Sequence, residues 1–331
     1  MFSLLASSYN HTHIIIAHYS DKVSQKIKVF ILFEHISGHF IDIAYSFVYS
    51  YLVKPERKGG IKMKRTERIG AIIRILTENP SRPYALSYFS ELFGCAKSSV
   101  SEDIRAASRT IEFTGTGCLE TIPGAKGGVR YVPDISDKDV LELQEEFCER
   151  LRDTSRLLGG NFIYTSDIFY DHGMVSRLAR VFARKFRDCG AEYVATVETK
   201  GIPLAYNVSH LLNLPLVVIR REARISEGST VSINYFSGSY DRLQKMTMSK
   251  RAIKNGAKVL IIDDFMRGGG SVTGISEMIG EFGGSVVGVG IAIVAVEPAA
   301  KKVQNYSSVI DLGKVSSEER IIEAEPNRSL F

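Results

Sequence analysis

From residue 63 onward, apolar positions recur first at helical spacing and then in strand-like runs. Ile69, Ile72, Ile73 and Leu76 mark one helix, Leu86 to Phe93 a second, and Val100, Ile104, Ala107 and Ile111 a third. Asn79-Pro80-Ser81-Arg82-Pro83 breaks the first and Gly94 ends the second. Ser98 or Ser99 is expected to cap the third, with Glu102 three residues past Ser99 at capping-box spacing. Leu119–Ile122 and Val129–Val132 then flank a glycine-rich turn and predict a hairpin. Three helices followed by a hairpin predict a small winged helix-turn-helix over residues 63–135.

Asp137 to Leu158 reads as a long amphipathic helix that links this part to the rest and packs between subunits. Beyond it, over residues 136–331, strands alternate with helices. Phe162–Tyr164, Tyr193–Val197, Leu216–Ile219, Val259–Ile262 and Ser285–Val296 read as strands, with Val309–Leu312 at an edge. Helices are predicted at Met174–Phe186, Ile202–Leu212 and Val272–Phe282. This order predicts an α/β domain built on a parallel sheet. Residues 226–250 are polar and Ser-rich.

Residues 1–62 follow neither pattern. They hold five of the seven histidines, and residues 28–53 are apolar enough to suggest a membrane span. Glu34, His35, His39 and Asp42 interrupt that run at a depth where charge is costly, so a membrane anchor is disfavoured. Lys58-Gly59-Gly60 must be encoded by AAR-GGN-GGN, which can spell AAGGAGG, a bacterial ribosome-binding sequence, two codons before Met63. The expectation is that residues 1–62 are a non-native or disordered extension and that Met63 is the true start. The bland alternative is a real, poorly ordered N-terminus.

Length and composition add bounds. At 331 residues and 44% hydrophobic, the chain can bury two cores. A net charge of +5 permits a nucleic-acid partner without demanding one. Cys95, Cys118, Cys148 and Cys189 are far apart with no CxxC spacing, which suits free thiols in a reducing cytoplasm rather than a disulfide or zinc site.

The chemistry concentrates after Val259–Ile262. Asp263 and Asp264 close the strand, and Phe265, Met266, Arg267, Gly268, Gly269, Gly270 and Ser271 lead into a helix. Ligands of open α/β sheets bind at the carboxyl ends of strands. Amides of a glycine turn form an anion nest, the next helix adds its N-terminal partial charge, and Ser271 stands where an N-cap would. Carboxylates beside a phosphate cradle suit a ribose-5-phosphate. Acid pairs at strand ends also bind metals or merely solvate loops, as in response-regulator folds. In the winged helix, Lys97, Ser98, Ser99 and Ser101 could reach bases or phosphates, and Lys126 and Arg130 of the hairpin could lie along the DNA backbone or minor groove. Arg105 and Arg109 fit either phosphate contacts or a solvated face, and winged helices also bind proteins. Arg177, Arg180, Arg184, Lys185 and Arg187 read as a solvated basic face.

Val259 through Ser271 resembles the phosphoribosyl pyrophosphate (PRPP) loop of type I phosphoribosyltransferases. The wider chain resembles the purine operon repressors of Gram-positive bacteria. That likeness is carried by Ala96–Asp103, Ile122–Ala125, Gly127–Val129, Thr199–Tyr206, Glu227–Tyr235 and Val259–Ser271, and covers nearly all of 63–331 and none of 1–62. It implies a type I phosphoribosyltransferase-like sheet domain behind the winged helix, in a homodimer that binds inverted-repeat operator DNA of purine synthesis and salvage genes. PRPP, with or without magnesium, would lower DNA affinity, and guanosine tetraphosphate would compete for the pocket. Glu198, Thr199, Lys200 and Gly201 would cradle pyrophosphate, with Arg220 or Arg221 pairing with it, and 226–250 would be the flexible hairpin over the site. Without the resemblance these read as an N-capped helix and surface arginines.

Two departures matter. The 6-oxopurine enzymes place an acid three residues after the second aspartate, where this chain has Arg267, and a guanidinium cannot act as the base. Glu198 stands where relatives can have a smaller neutral residue, which would repel pyrophosphate unless Lys200 or magnesium neutralises it. The leading expectation is a non-catalytic, PRPP-responsive repressor with no membrane partner and no resident metal. The alternatives are an active purine phosphoribosyltransferase with an appended domain, and a PRPP-sensing scaffold whose winged helix binds protein.

Overall fold

The computed structural model describes residues 2–9, 12–20, 27–33, 63–124, 127–223, 225–237 and 242–331. Residues 1–62 and 63–331 form two separate units. In the first, β1 (Phe2–Tyr9), β2 (Thr12–Ser20) and β3 (Ile27–Phe33) pair antiparallel in that order. Residues 34–62, including Lys58-Gly59-Gly60, lie outside the described residues. Among the described residues, no helix is long and apolar enough to cross a membrane.

The second unit opens with α1 (Arg65–Glu78), α2 (Leu86–Phe93) and α3 (Lys97–Thr114), followed by the hairpin β4 (Gly117–Ile122) and β5 (Gly128–Pro133). The predicted stripe of Val100, Ile104, Ala107 and Ile111 is buried against Ile72, Leu76 and Phe89. Tyr84 and Val129 exchange two backbone hydrogen bonds of 2.9 Å, so the segment before α2 pairs with the hairpin. Gly128 makes this possible, because a Cβ there would sit 2.1 Å from the Tyr84 carbonyl oxygen. The expected serine cap of α3 is not formed. Ala96 occupies the N-cap, and Ser98 and Ser99 fall inside the first turn.

The linking helix α4 (Asp137–Arg152) is capped by Ser136, whose hydroxyl accepts from the Asp139 amide. It stops six residues before the predicted end. Asp153 turns extended there and its carboxylate takes the Ser155 amide. Short strands β6 (Leu157–Leu158) and β7 (Phe162–Ile163), helix α5 (Ser166–Phe169) and helix α6 (His172–Phe186) follow. The basic side of α6 is not the solvated face expected. Arg184 reaches the Ile135 carbonyl at 2.8 Å and Asp137 at 2.7 Å, and Arg187 reaches Asp134 at 3.1 Å. Arg177 pairs with Glu146, and Lys185 donates to the Leu330 carbonyl at 2.6 Å. Arg184 and Arg187 seat the end of the winged helix on the α/β part, and Arg177 ties α6 to α4.

The main sheet contains β8 (Tyr193–Val197), β9 (Leu216–Ile219), β12 (Lys258–Met266), β13 (Ser285–Ala295), β14 (Ser307–Ser316) and β15 (Ile321–Pro326). Its order is β15-β14-β13-β12-β8-β9. All neighbours are parallel except β14 and β15. The predicted edge strand at Val309–Leu312 is therefore internal, and the real edge on that side is antiparallel. Strand β12 is buried on both faces, as its apolar run predicts. Leu260 and Ile262 enter a core shared with α4, α6 and α7 (Gly201–Leu212). Val259 and Ile261 enter a second core with α8 (Gly270–Gly280) and the hairpin β10 (Thr230–Ser237) and β11 (Arg242–Ser249). Tyr235, Met246 and Met248 of that hairpin are buried, so its described strands pack on α8 rather than hanging free as a flap.

Candidate functional site

Strands β12, β8 and β9 are neighbours and parallel, so their carboxyl ends lie along one edge. The three predicted loops leave from those ends: 263–271 after β12, 198–201 after β8, and Arg220-Arg221 after β9. Topology thus gathers residues that the sequence spreads over 74 positions, from Glu198 to Ser271.

Asp263 is buried at 3% exposure. Its Oδ1 accepts the Asp264 amide at 3.0 Å and lies 3.5 Å from the Thr196 hydroxyl. Burial pushes its carboxyl well above the ordinary range, and the charge of Asp264 pushes it further. Burial also raises Asp264, against its hydrogen bond with Asp263 and the nearby Lys200 charge. Two adjacent carboxyls at a strand end, both resisting ionisation, form a pair that a ligand with donor hydroxyls or a cation would relieve. No group of three or more His, Cys, Asp or Glu side chains suited to a metal occurs among the described residues.

The following turn lines a cleft from Phe265 to Val272. Gly269 takes φ +84 and is itself the N-cap of α8, so Ser271 sits in the first turn and is not the cap expected. No side chain caps this helix, and its first amides stay available to an anion. Phe265 and Arg267 face outward. Met266, counted among the binding residues, is 3% exposed and belongs to the core under α8.

After β8, the Glu198–Thr199 peptide is cis. Lys200 Nζ donates to the Thr165 hydroxyl at 3.2 Å. Gly201 begins α7 against the acid pair. A Cβ on it would lie 2.3 Å from Asp263 Oδ1 and 2.5 Å from Thr196 Oγ1. Gly201→Ala is therefore expected to push this loop off β12, and calorimetry with PRPP, the ligand the resemblance implies, is expected to read about tenfold weaker binding than in the parent. Unchanged affinity would show that the loop does not contribute to the site. Arg220, expected to meet pyrophosphate, is held by two acids: Nη1 lies 3.4 Å from Glu198 Oε2 and Nε lies 3.2 Å from Glu227 Oε1. Glu198 is thus balanced by Arg220, not by Lys200. Arg221 contributes its amide to Glu198 at 2.8 Å, while its side chain is exposed.

In the winged helix, Lys97, Ser98, Arg105 and Arg109 are exposed along α3, and Ser99 and Ser101 are half-buried. Arg130 is pinned across the hairpin to Glu120 by two bonds of 3.1 and 2.8 Å, so it is not a free cation. Lys126 lies outside the described residues. The sequence reading missed Asp103. It is 1% exposed and accepts Arg68 Nε at 2.7 Å and Arg65 Nε at 3.2 Å, clamping α1 to α3. The one available signal was an acid beside the apolar stripe of an amphipathic helix.

Three helices with a paired hairpin, ahead of a parallel sheet whose strand ends carry an acid pair and a glycine turn, define a winged helix joined to a phosphoribosyltransferase-type domain. Two family patterns match: "Bacterial purine repressor, N-terminal" over residues 64–133 and "Phosphoribosyl transferase domain" over 165–324. The purine biosynthesis transcriptional repressor PurR of Bacillus subtilis is 38% identical over 265 residues, covering 80% of this chain and 93% of that protein. The purine biosynthesis transcriptional activator PurR of Lactococcus lactis is 35% identical over 263 residues, covering 80% and 97%. A solved adenine phosphoribosyltransferase from Thermoanaerobacter pseudethanolicus covers 50% of this chain and 98% of its own at 17% identity and a TM-score of 0.44. The chain belongs to the PurR family of bacterial purine biosynthesis transcriptional regulators.

Proposed function

We propose that the chain is a homodimeric repressor that binds inverted-repeat operators of purine synthesis and salvage genes and is released by PRPP held in a non-catalytic pocket. It acts in the cytoplasm without a membrane partner. The observation that carries the effector reading is the convergence of an acid pair, an uncapped glycine-turn helix and a close-approach glycine at adjacent strand ends. The paired acids accept from the ribose hydroxyls. The α8 amides and the Gly268–Gly270 turn receive the 5-phosphate, and Lys200 faces the pyrophosphate. Magnesium, where it accompanies PRPP, comes with the ligand. Guanosine tetraphosphate, also a polyanion, competes for the same amides. Arg267 supports the absence of transferase activity, because a guanidinium cannot take a proton from a purine.

Helix α7 supplies a route between the sites. It begins at the loop that faces the pyrophosphate and spans 12 residues, about 18 Å. Near its other end, the Leu211 carbonyl accepts the Ser81 hydroxyl of the winged helix at 2.7 Å. A shift of the loop therefore tilts an element that bears on the DNA-binding part.

The direct test is operator binding by residues 63–331 titrated with PRPP and magnesium. DNA is expected to be released as PRPP rises, with binding that weakens steeply with salt because phosphate contacts displace counterions. DNA binding indifferent to PRPP would remove the effector reading. Nucleotide formation from PRPP and a free purine would favour the enzyme instead. A relative named as an activator at 35% identity gives a second reading in which the same binding turns genes on, and a reporter fusion separates the two.

A further inference from the structure

We propose that Glu198 sets the affinity and charge selectivity of the effector site by occupying an anion position with its own carboxylate. The proposal rests on the effector reading above and deepens it. Both carboxylate oxygens are engaged: Oε1 accepts the Arg221 amide at 2.8 Å, and Oε2 faces Arg220 Nη1 at 3.4 Å. A backbone N–H and a guanidinium converging from the end of β9 are the donors a diphosphate between β8 and β9 would need. In this chain they are already taken by a group on the facing loop, two residues from Lys200.

The two partners are not equally free to move. Arg220 is fixed through its backbone, which exchanges bonds of 3.0 and 2.7 Å with Thr247 of the hairpin. Its Nε is held by Glu227, whose own carbonyl accepts the Ser249 hydroxyl at 2.9 Å. Glu198 is anchored by its own backbone amide, which donates to the Ile219 carbonyl at 3.0 Å. Among the described residues its carboxylate meets only the Arg221 amide and Arg220, with no third partner to hold it, so the side chain can swing outward about that anchor. An incoming anion therefore displaces Glu198 and leaves Arg220 where it is. A tethered competitor acts at high effective concentration. A singly charged or weakly held anion fails to displace it, whereas a diphosphate succeeds at the expense of part of its affinity. Glu198 thus favours ligands that carry a diphosphate over those with one phosphate, and it raises the concentration at which the site fills.

The experiment is calorimetry on the full chain with inorganic pyrophosphate, inorganic phosphate, and PRPP with magnesium. The variants are Glu198→Gln, Glu198→Ala and Glu222→Gln. Glu222 is exposed and two residues from Arg220, so its loss reports the effect of removing nearby charge alone. Both Glu198 variants are expected to bind pyrophosphate about tenfold tighter than the parent and to gain measurable binding of inorganic phosphate. Glu222→Gln is expected to change either by less than about twofold. Equal or weaker pyrophosphate binding by both Glu198 variants, in a parent that binds PRPP, overturns the proposal and leaves the effector reading standing. The same gain in Glu222→Gln also overturns it. Failure of the parent and every variant to bind PRPP overturns the effector reading, and the proposal with it.

Discussion

Asp263→Asn is expected to yield a chain that holds operator DNA and no longer releases it for PRPP. Asparagine keeps the shape and can still accept the Asp264 amide, now 3.0 Å from Oδ1. It removes the charge that a ribose hydroxyl would bond. Hydrogen bonds to charged groups are worth about 1.5–3 kcal/mol, so losing one or two should weaken PRPP about 10²-fold or more. Operator affinity without PRPP should be unchanged, because Asp263 lies at the end of β12, within the α/β part. Loss of both functions together would mean that the acids only hold the fold. Stability gives a second readout of opposite sign. A carboxyl raised by burial contributes stability in its neutral form at low pH, and that contribution is lost as pH rises through the raised value. The substitution removes this cost. The variant should therefore melt higher than the parent at pH 8, with the difference shrinking as pH falls toward about 4. A variant that loses PRPP and gains stability is the expected signature of a binding residue held against its own preference.

Much of this site was legible because each part has a local signature. An apolar run with two acids and three glycines defines a strand, its end and the turn after it, and β12 buries both faces as that run requires. Gly201 enters the cradle through the resemblance, and the structure packs it against Asp263 and Thr196. The misread arginines share a cause: each has a partner far along the chain. Arg184 and Arg187 looked solvated because Asp134 and Asp137 lie some 50 positions earlier. Arg220 looked free because Glu198, 22 positions earlier, reaches it only once β8 and β9 pair. Ser98, Ser99 and Ser271 looked like caps on local grounds, but Ala96 and Gly269 take those places. Uncapped, both helices begin with free amides on the faces assigned to DNA and to the effector. That is consistent with anions, rather than side chains, completing their first turns.

Asp103→Ala is expected to cost operator binding while sparing the PRPP response. Its carboxylate is buried and ties Arg68 and Arg65 of α1 to α3, the helix that carries Lys97, Ser98 and Arg105. The hydrogen bond to Asp103 holds the Arg68 guanidinium more basic than usual. Arg68 also donates to the Met63 carbonyl at 3.1 Å, so the pair anchors the start of this unit. Removing one partner of a buried ion pair strands the other, and the loss usually exceeds the net worth of the pair. Helix α3 should then lose its fixed angle to α1, and operator affinity should fall about a hundredfold by fluorescence anisotropy. PRPP binding should stay within about twofold, since the two sites lie in separate cores. Arg65→Ala is the discriminating control. Arg65 is 57% exposed, and exposed ion pairs contribute little, so its loss should be mild. Equal losses from Asp103→Ala and Arg65→Ala would mean that Arg65 contacts DNA directly. The clamp would then be incidental, and the recognition surface would extend from α3 onto α1.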